Sequence, residues 1–207
     1  MLDYAVLGLV TSLFTNAYAT IQALMGQYGY FAIFVLMLLE GSTIPVPSEV
    51  VLPLAGIFVA NGTLNFALAY IAALLGSVVG LAVDYYIGYF IGKDVVYKHL
   101  KLFHVTQERL DAFDRWFERN GFAAVFFSRL VPVVRTVMSF PAGFARMNQK
   151  KFFAYSAVGA AIWDAVLMVF GMKALSTNNA VITLAAIGVF AIVLYAVYRL
   201  AMQRMNK

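Results

Sequence analysis

The sequence predicts an all-α, polytopic membrane protein built on two inverted repeats, each a re-entrant helical hairpin followed by one transmembrane helix. Three observations carry that expectation. Hydrophobic residues make up 63% of the chain and charged residues only 12%, where soluble domains hold about 45–50% and 25%. Charged side chains and prolines stand inside otherwise apolar stretches, at residues 29–62 and 121–143. The two halves of the chain also echo each other, motif by motif.

The 207 residues supply at most a handful of spans of about 20 residues each. With no cysteine, neither a disulfide framework nor a thiolate metal site is expected. The net charge of +5 comes mostly from basic residues flanking apolar runs, a topological signature rather than a nucleic-acid footprint. No Lys or Arg precedes the first apolar run, so a cleavable signal with a basic leading region is not expected.

Residues 1–27 read as an N-terminal helix. Its stretch 4–25 is uncharged and long enough to cross, but Thr11, Thr15, Asn16 and Gln22 weaken it. A span and an interfacial helix both remain open. Residues 28–93 form the first repeat. Its hairpin has two apolar arms around a polar centre that holds Glu40, Gly41, Ser42, Thr43, Pro45, Pro47, Ser48 and Glu49. Each arm, of about 11–13 residues, is too short to span a hydrocarbon core of about 30 Å. Pro45 and Pro47 remove donors and force extended backbone before them. Ser48 is the expected N-cap of the second arm, with Glu49 in the first turn favoured by the helix dipole. Irregular backbone at that depth survives only when buried in protein or lining a wet cavity. The span at 64–92 then carries Gly76, Gly80, Gly88 and Gly92 on one face, a pattern suited to close helix packing.

Residues 94–120 alternate basic and acidic side chains and predict a cytoplasmic amphipathic helix, capped by Thr106 and stopping near Gly121. His99 and His104 fall in this region and read as solvated surface residues. Residues 121–173 form the second repeat. Its hairpin contains Arg129 and Arg135, with Pro132 between them and Pro141 closing the segment. An arginine at the bilayer centre costs roughly 2.5–3.5 kcal/mol on insertion scales, so two of them beside a helix-breaking proline are not ordinary lipid-facing positions. The competing reading is a surface helix with both arginines in water. Asn148 caps a following span at 152–172 that carries Trp163 and Asp164. Residues 174–207 add a last span at 180–200 and a basic tail.

If both hairpins are re-entrant, residues 93–120, 146–151 and 199–207 share one face. They hold twelve of the fifteen Lys and Arg residues, which places that face in the cytoplasm. The repeat itself rests on matched strings. Gly29-Tyr30-Phe31-Ala32 corresponds to Gly121-Phe122-Ala123, Pro53-Leu54-Ala55-Gly56 to Pro141-Ala142-Gly143, and residues 77–84 to 156–164. A unit of one hairpin plus one span has a single net crossing, so the second copy starts inverted, the architecture of secondary transporters.

The first hairpin brings Glu40 and Glu49, the second Arg129 and Arg135. With the tips facing each other, the four charges neutralise in pairs, which makes buried ions tolerable. Taken alone, this gives structural ion pairs pinning two hairpins together. The sharper reading uses the guanidinium's fit to phosphate. A phosphate monoester displaces the carboxylates from Arg129 and Arg135, and the freed glutamates, in low dielectric, take up protons. Asp84 and Asp164, at matching positions of the two spans, are secondary candidates for the same relay; each could equally be a packing residue. A lipid phosphatase would need a nucleophile and a base beside the arginines, and both histidines lie elsewhere. No catalytic residue, metal or cofactor is expected.

Together these motifs resemble the DedA family, the SNARE-associated or VTT-domain membrane proteins. The matching residues are Glu40 with Pro45-Val46-Pro47-Ser48-Glu49, then Gly76, Gly80, Tyr85-Tyr86-Ile87-Gly88 and Gly92. They continue with Ser128-Arg129-Leu130-Val131-Pro132-Val133-Val134-Arg135-Thr136, followed by Ala142-Gly143. One position departs: family members often carry an acidic or polar residue directly after the second glycine, where this chain has Leu81. The resemblance implies a flippase for a polyprenyl-phosphate carrier (undecaprenyl phosphate in bacteria), dependent on the proton-motive force. Its implied partners are that lipid, protons and membrane lipids, with no nucleic acid; homo-oligomerisation stays open. Eukaryotic relatives are associated with lipid scrambling, so a less selective phospholipid scramblase is the alternative, beside a proton-coupled small-ion transporter. The expected location is the inner (plasma) membrane, multi-pass, with a cytoplasmic C-terminus.

Overall fold

The computed structural model describes residues 16, 18–44, 46–100, 107–129 and 134–176. The expected span at 180–200, the first part of the segment at 4–25, Pro45, His104, Thr106, Pro132 and the side chain of His99 lie outside the described residues. The described chain is helical: α1 (residues 18–28), α2 (Tyr30–Gly41), α3 (Ser48–Ala60), α4 (Phe66–Leu100), α5 (Gln107–Ser128), α6 (Val134–Val137), α7 (Ser139–Phe144) and α8 (Gln149–Ser176). No strand occurs among the described residues.

Among the described residues, two helices are long and apolar enough to cross a membrane, over Phe66–Ile91 in α4 and Gln149–Lys173 in α8. Each starts at an asparagine. The Asn65 side-chain oxygen accepts from the Ala67 and Leu68 N–H groups at 2.9 and 3.3 Å. Asn148, the cap expected from sequence, accepts from Lys151 N–H at 3.2 Å. Both satisfy donors that a helix start leaves orphaned. The outward faces stay apolar: Leu68, Ile71, Leu75, Val79 and Val83 on α4 and Val158, Ile162 and Val166 on α8 are exposed. In water such ridges would form an unpartnered apolar patch; acyl chains solvate them.

Helices α2 and α3 have 12 and 13 residues, about 18–20 Å at 1.5 Å per residue. The link between them is tightly turned. Ser42 Oγ donates back to the Leu38 carbonyl at 2.6 Å, and Thr43 takes φ 60°, a region β-branched residues rarely visit. Pro47, in extended backbone, is the N-cap of α3. Ser48 therefore does not cap; it is the first helical residue and makes no capping bond.

Three boundaries differ from expectation. Helix α4 runs past 92 to Leu100. Helix α5 does not stop at Gly121 but continues to Ser128; the Phe117 ring packs where a side chain at Gly121 would stand. Pro141 does not break a helix: it sits in the first turn of α7, where its missing N–H would have no partner. The break falls earlier, at Met138.

Glycines set the packing. A Cβ on Gly76 or Gly80 would strike the carbonyls of Phe34 and Leu38, so α2 lies directly on α4. Gly88 and Gly143 bring α7 equally close to α4, against Phe140 and Tyr85. Gly56 and Gly171 do the same for α3 and α8, against Met168 and Pro53. Gly159 on α8 touches the side-chain stem of Arg129. The packing face predicted for Gly76, Gly80 and Gly88 is thus occupied, by two different helices.

Candidate functional site

The last turn of α2 carries Glu40, the first residue of α3 is Ser48, and α6 carries Arg135; all three side chains are buried. Arg135 Nη2 donates to both Glu40 Oε1 and Ser48 Oγ, so the tips of the two proline-containing segments meet in an ion pair. The other side of the Arg135 guanidinium faces the Trp163 ring, 4.9 Å from its centroid. That distance suits a cation over an aromatic face.

Arg129, at the end of α5, is only 2% exposed. Its Nη1 donates to the Arg135 carbonyl, and its Nη2 to Ser139 Oγ and Ser156 Oγ, each at 3.1 Å. The guanidinium carbon lies 5.6 Å from the Phe152 ring centroid. Every acceptor it has among the described residues is neutral, and its Nε has none. A buried cation without a counter-ion within hydrogen-bond reach is costly.

Both spans contribute a buried carboxyl. Asp84 on α4 accepts from Thr43 Oγ1, fixing the tip of the first hairpin to the span. Asp164 on α8 accepts from Ser77 Oγ at 3.4 Å, and its other oxygen has no partner among the described residues.

Of the four hairpin charges expected to pair, Glu40, Arg129 and Arg135 come together. Glu49 does not: it is exposed on the first turn of α3, and its neighbour Ser48 bonds Arg135. The reason is helical phase. Ser48 and Glu49 are neighbours roughly 100° apart around a helix of 3.6 residues per turn, so burying one turns the other outward. The sequence reading also missed Ser77, Ser139 and Ser156 as site residues. Their signal was available, since each is a serine in an apolar run close to a glycine or proline motif.

Between these groups lies a cavity of about 20 Å³, lined by Glu40, Gly41, Ser77, Leu81, Arg129, Arg135 and Ala160. That is room for about one water. An anion the size of phosphate does not fit this space as it stands. Among the described residues no three His, Asp or Glu side chains converge as metal ligands would.

Comparison with known proteins adds a family to this geometry. The family model for the VTT domain matches residues 46–173. An uncharacterized membrane protein of Synechocystis is 35% identical over 147 residues, 71% of this chain and 67% of that protein. Undecaprenyl phosphate transporter A of Staphylococcus aureus is 32% identical over 155 residues, 73% of this chain and 76% of that protein. A protein of Lactococcus lactis named alkaline phosphatase-like is 28% identical over 152 residues, 71% of each chain. No solved structure matches.

Proposed function

Because the chain belongs to the VTT-domain (DedA) family of membrane proteins, we propose that it translocates a polyprenyl-phosphate lipid, undecaprenyl phosphate in a bacterium, across the cytoplasmic membrane. The observation that carries this reading is the buried Arg135–Glu40 pair beside Arg129, a guanidinium with only neutral acceptors among the described residues. A phosphate monoester takes Glu40's place on Arg135 and supplies Arg129 with the anion it lacks. Bidentate guanidinium–phosphate contacts favour that exchange. Glu40, released into low dielectric, takes up a proton, which links lipid binding to the proton gradient. The polyprenyl tail stays in the bilayer against the exposed apolar faces of α4 and α8.

On this reading α2–α3 and the segment from α5 to α7 are re-entrant hairpins of two inverted repeats. The glycine contacts support it. Gly76 on Phe34 corresponds to Gly159 on Phe126; Gly88 on Phe140 corresponds to Gly171 on Pro53; and Tyr85 under Gly143 corresponds to Met168 under Gly56. In all three, the residues on the two spans are 83 positions apart, as Gly76 and Gly159 are. This register sits about one helical turn from the string match that paired Asp84 with Asp164. In it, Asp164 corresponds to Leu81 instead.

The relatives favour transport over chemistry. One is named a transporter of undecaprenyl phosphate, and the phosphatase-like name belongs to its own protein. Ser128, the hydroxyl adjacent to Arg129, donates to the Val125 carbonyl at 2.8 Å; it has no histidine base beside it among the described residues.

Reconstitution in liposomes tests the proposal. Polyprenyl phosphate should cross the bilayer and phosphatidylglycerol should not, and Arg129→Ala should insert but fail to translocate. Equal movement of both lipids would make the protein a scramblase, and normal translocation by Arg129→Ala would refute the site.

A further inference from the structure

Ser77 on α4 has no part in the reading above, yet it joins two groups that do. It lines the cavity with Glu40, Arg129 and Arg135, and it donates to Asp164 on α8. The Asp164 side chain is fully buried, and this is the one hydrogen bond it receives among the described residues. At 3.4 Å the bond is longer than the usual 2.5–3.0 Å for O–H···O. A serine hydroxyl has a single proton to donate and rotates freely to suit its acceptor.

We propose that Ser77 is a switch between the lipid-phosphate site and Asp164. It rests on the phosphate reading given above. When a phosphate occupies the cavity, the Ser77 hydroxyl turns to donate to a phosphate oxygen and abandons Asp164. The Ser77 proton stays on Ser77 and only its acceptor changes; no bond to phosphorus forms or breaks. Asp164, left as a buried carboxylate without a donor, is discharged by a proton from solvent. Each lipid phosphate bound then carries a proton on Asp164 as well as on Glu40.

The surrounding charges favour this response. Burial disfavours the Asp164 anion most, Arg135 from α6 attracts it and Glu40 from α2 repels it. A phosphate on Arg135 cancels the attraction and adds to the repulsion. Tyr70 on α4 stands nearby, its hydroxyl donating to the Ala161 carbonyl at 2.9 Å. Helix α5 presents Arg129, whose stem meets Gly159. From α3 the charged group is Glu49, exposed.

The test is calorimetric binding of farnesyl phosphate to the purified full-length protein in detergent. Repeating it in buffers of different ionisation enthalpy counts the protons exchanged per ligand. The wild type should take up protons. Ser77→Ala and Asp164→Asn should each lower the uptake by the same amount, the double variant should lower it no further, and Ser77→Thr should restore it. Ser77→Ala should also bind about tenfold more weakly, through one lost bond to a charged group. Unchanged proton uptake in Ser77→Ala would overturn the switch and leave the phosphate reading standing. Failure of the wild type to bind farnesyl phosphate would overturn both.

Discussion

Two arginines six positions apart do different work. Arg129 spends its donors on one carbonyl and two serines that belong to three different segments, so it ties α6, α7 and α8 together. Arg135 is paired with a carboxylate, which on the proposed exchange gives way to the phosphate. Glu40→Gln should therefore strengthen the binding of farnesyl phosphate by about tenfold or more, since the competing anion is gone while an acceptor for Arg135 remains. It should also flatten the pH dependence of translocation; calorimetry and a liposome assay across pH 6–8 would check both, and unchanged affinity would mean that Glu40 does not compete with the ligand. Arg129→Ala, by contrast, strands three buried acceptors and should lower stability by about 2–3 kcal/mol, read as a fall in thermal midpoint in detergent. Much of this was legible in sequence, because a charge between apolar neighbours stands out at once. The partner of each charge was less so. Glu40 and Glu49 flank a link whose backbone leaves helical geometry at Thr43 and Pro47, and no periodicity carries helical phase across such a break. Hence Glu49 was expected to pair at the tip and Ser48 to cap α3, whereas Glu49 is exposed and Ser48 bonds Arg135.

At the level of elements, the spans and the two short arms followed from apolar length, and Asn148 marked the start of α8 by its side-chain chemistry. Stop signals were less reliable. Gly121 looked like a terminus, yet a glycine ends a helix only when the chain needs a left-handed residue there; here it makes room for a ring. The packing glycines have a sharper requirement, because what faces them is the backbone of another helix. Gly143→Ala and Gly171→Ala each place a methyl against a carbonyl that no rotamer change can move. Each should cost about 1–3 kcal/mol, typical of overpacking, and should loosen α7 from α4 or α3 from α8. Gly26→Ala is the control. It lies in α1 with nothing within 4 Å of the added methyl, so helix propensity should leave it neutral or more stable by about 0.5–1 kcal/mol. Thermal midpoints of the three purified variants decide between a packing role and a general intolerance of change.

For the whole molecule the decisive matter is which side of the membrane each loop occupies, because inverted repeats and simple crossings share most of their local contacts. On the proposed topology helix α4 crosses once between the loop at 61–65 and its basic continuation beyond 92. If α2–α3 enters and leaves on one side, Tyr28 and Asn61 lie on the same face, opposite Arg119. If the second hairpin is also re-entrant, Lys151 joins Arg119. The absence of native cysteine makes this measurable with single substitutions at exposed positions: Tyr28→Cys, Asn61→Cys, Arg119→Cys and Lys151→Cys. In intact cells a membrane-impermeant maleimide should label the first two, while the last two should react only after permeabilisation. Arg146, Lys150 and Lys151 make the outcome steep: were they external, three cations in a short loop would oppose the orientation that the remaining loops impose. Labelling of Lys151→Cys from outside would turn the second hairpin into a full crossing. It would also break the correspondence between α2–α3 and the segment from α5 to α7, leaving the shared 83-residue register as a packing coincidence.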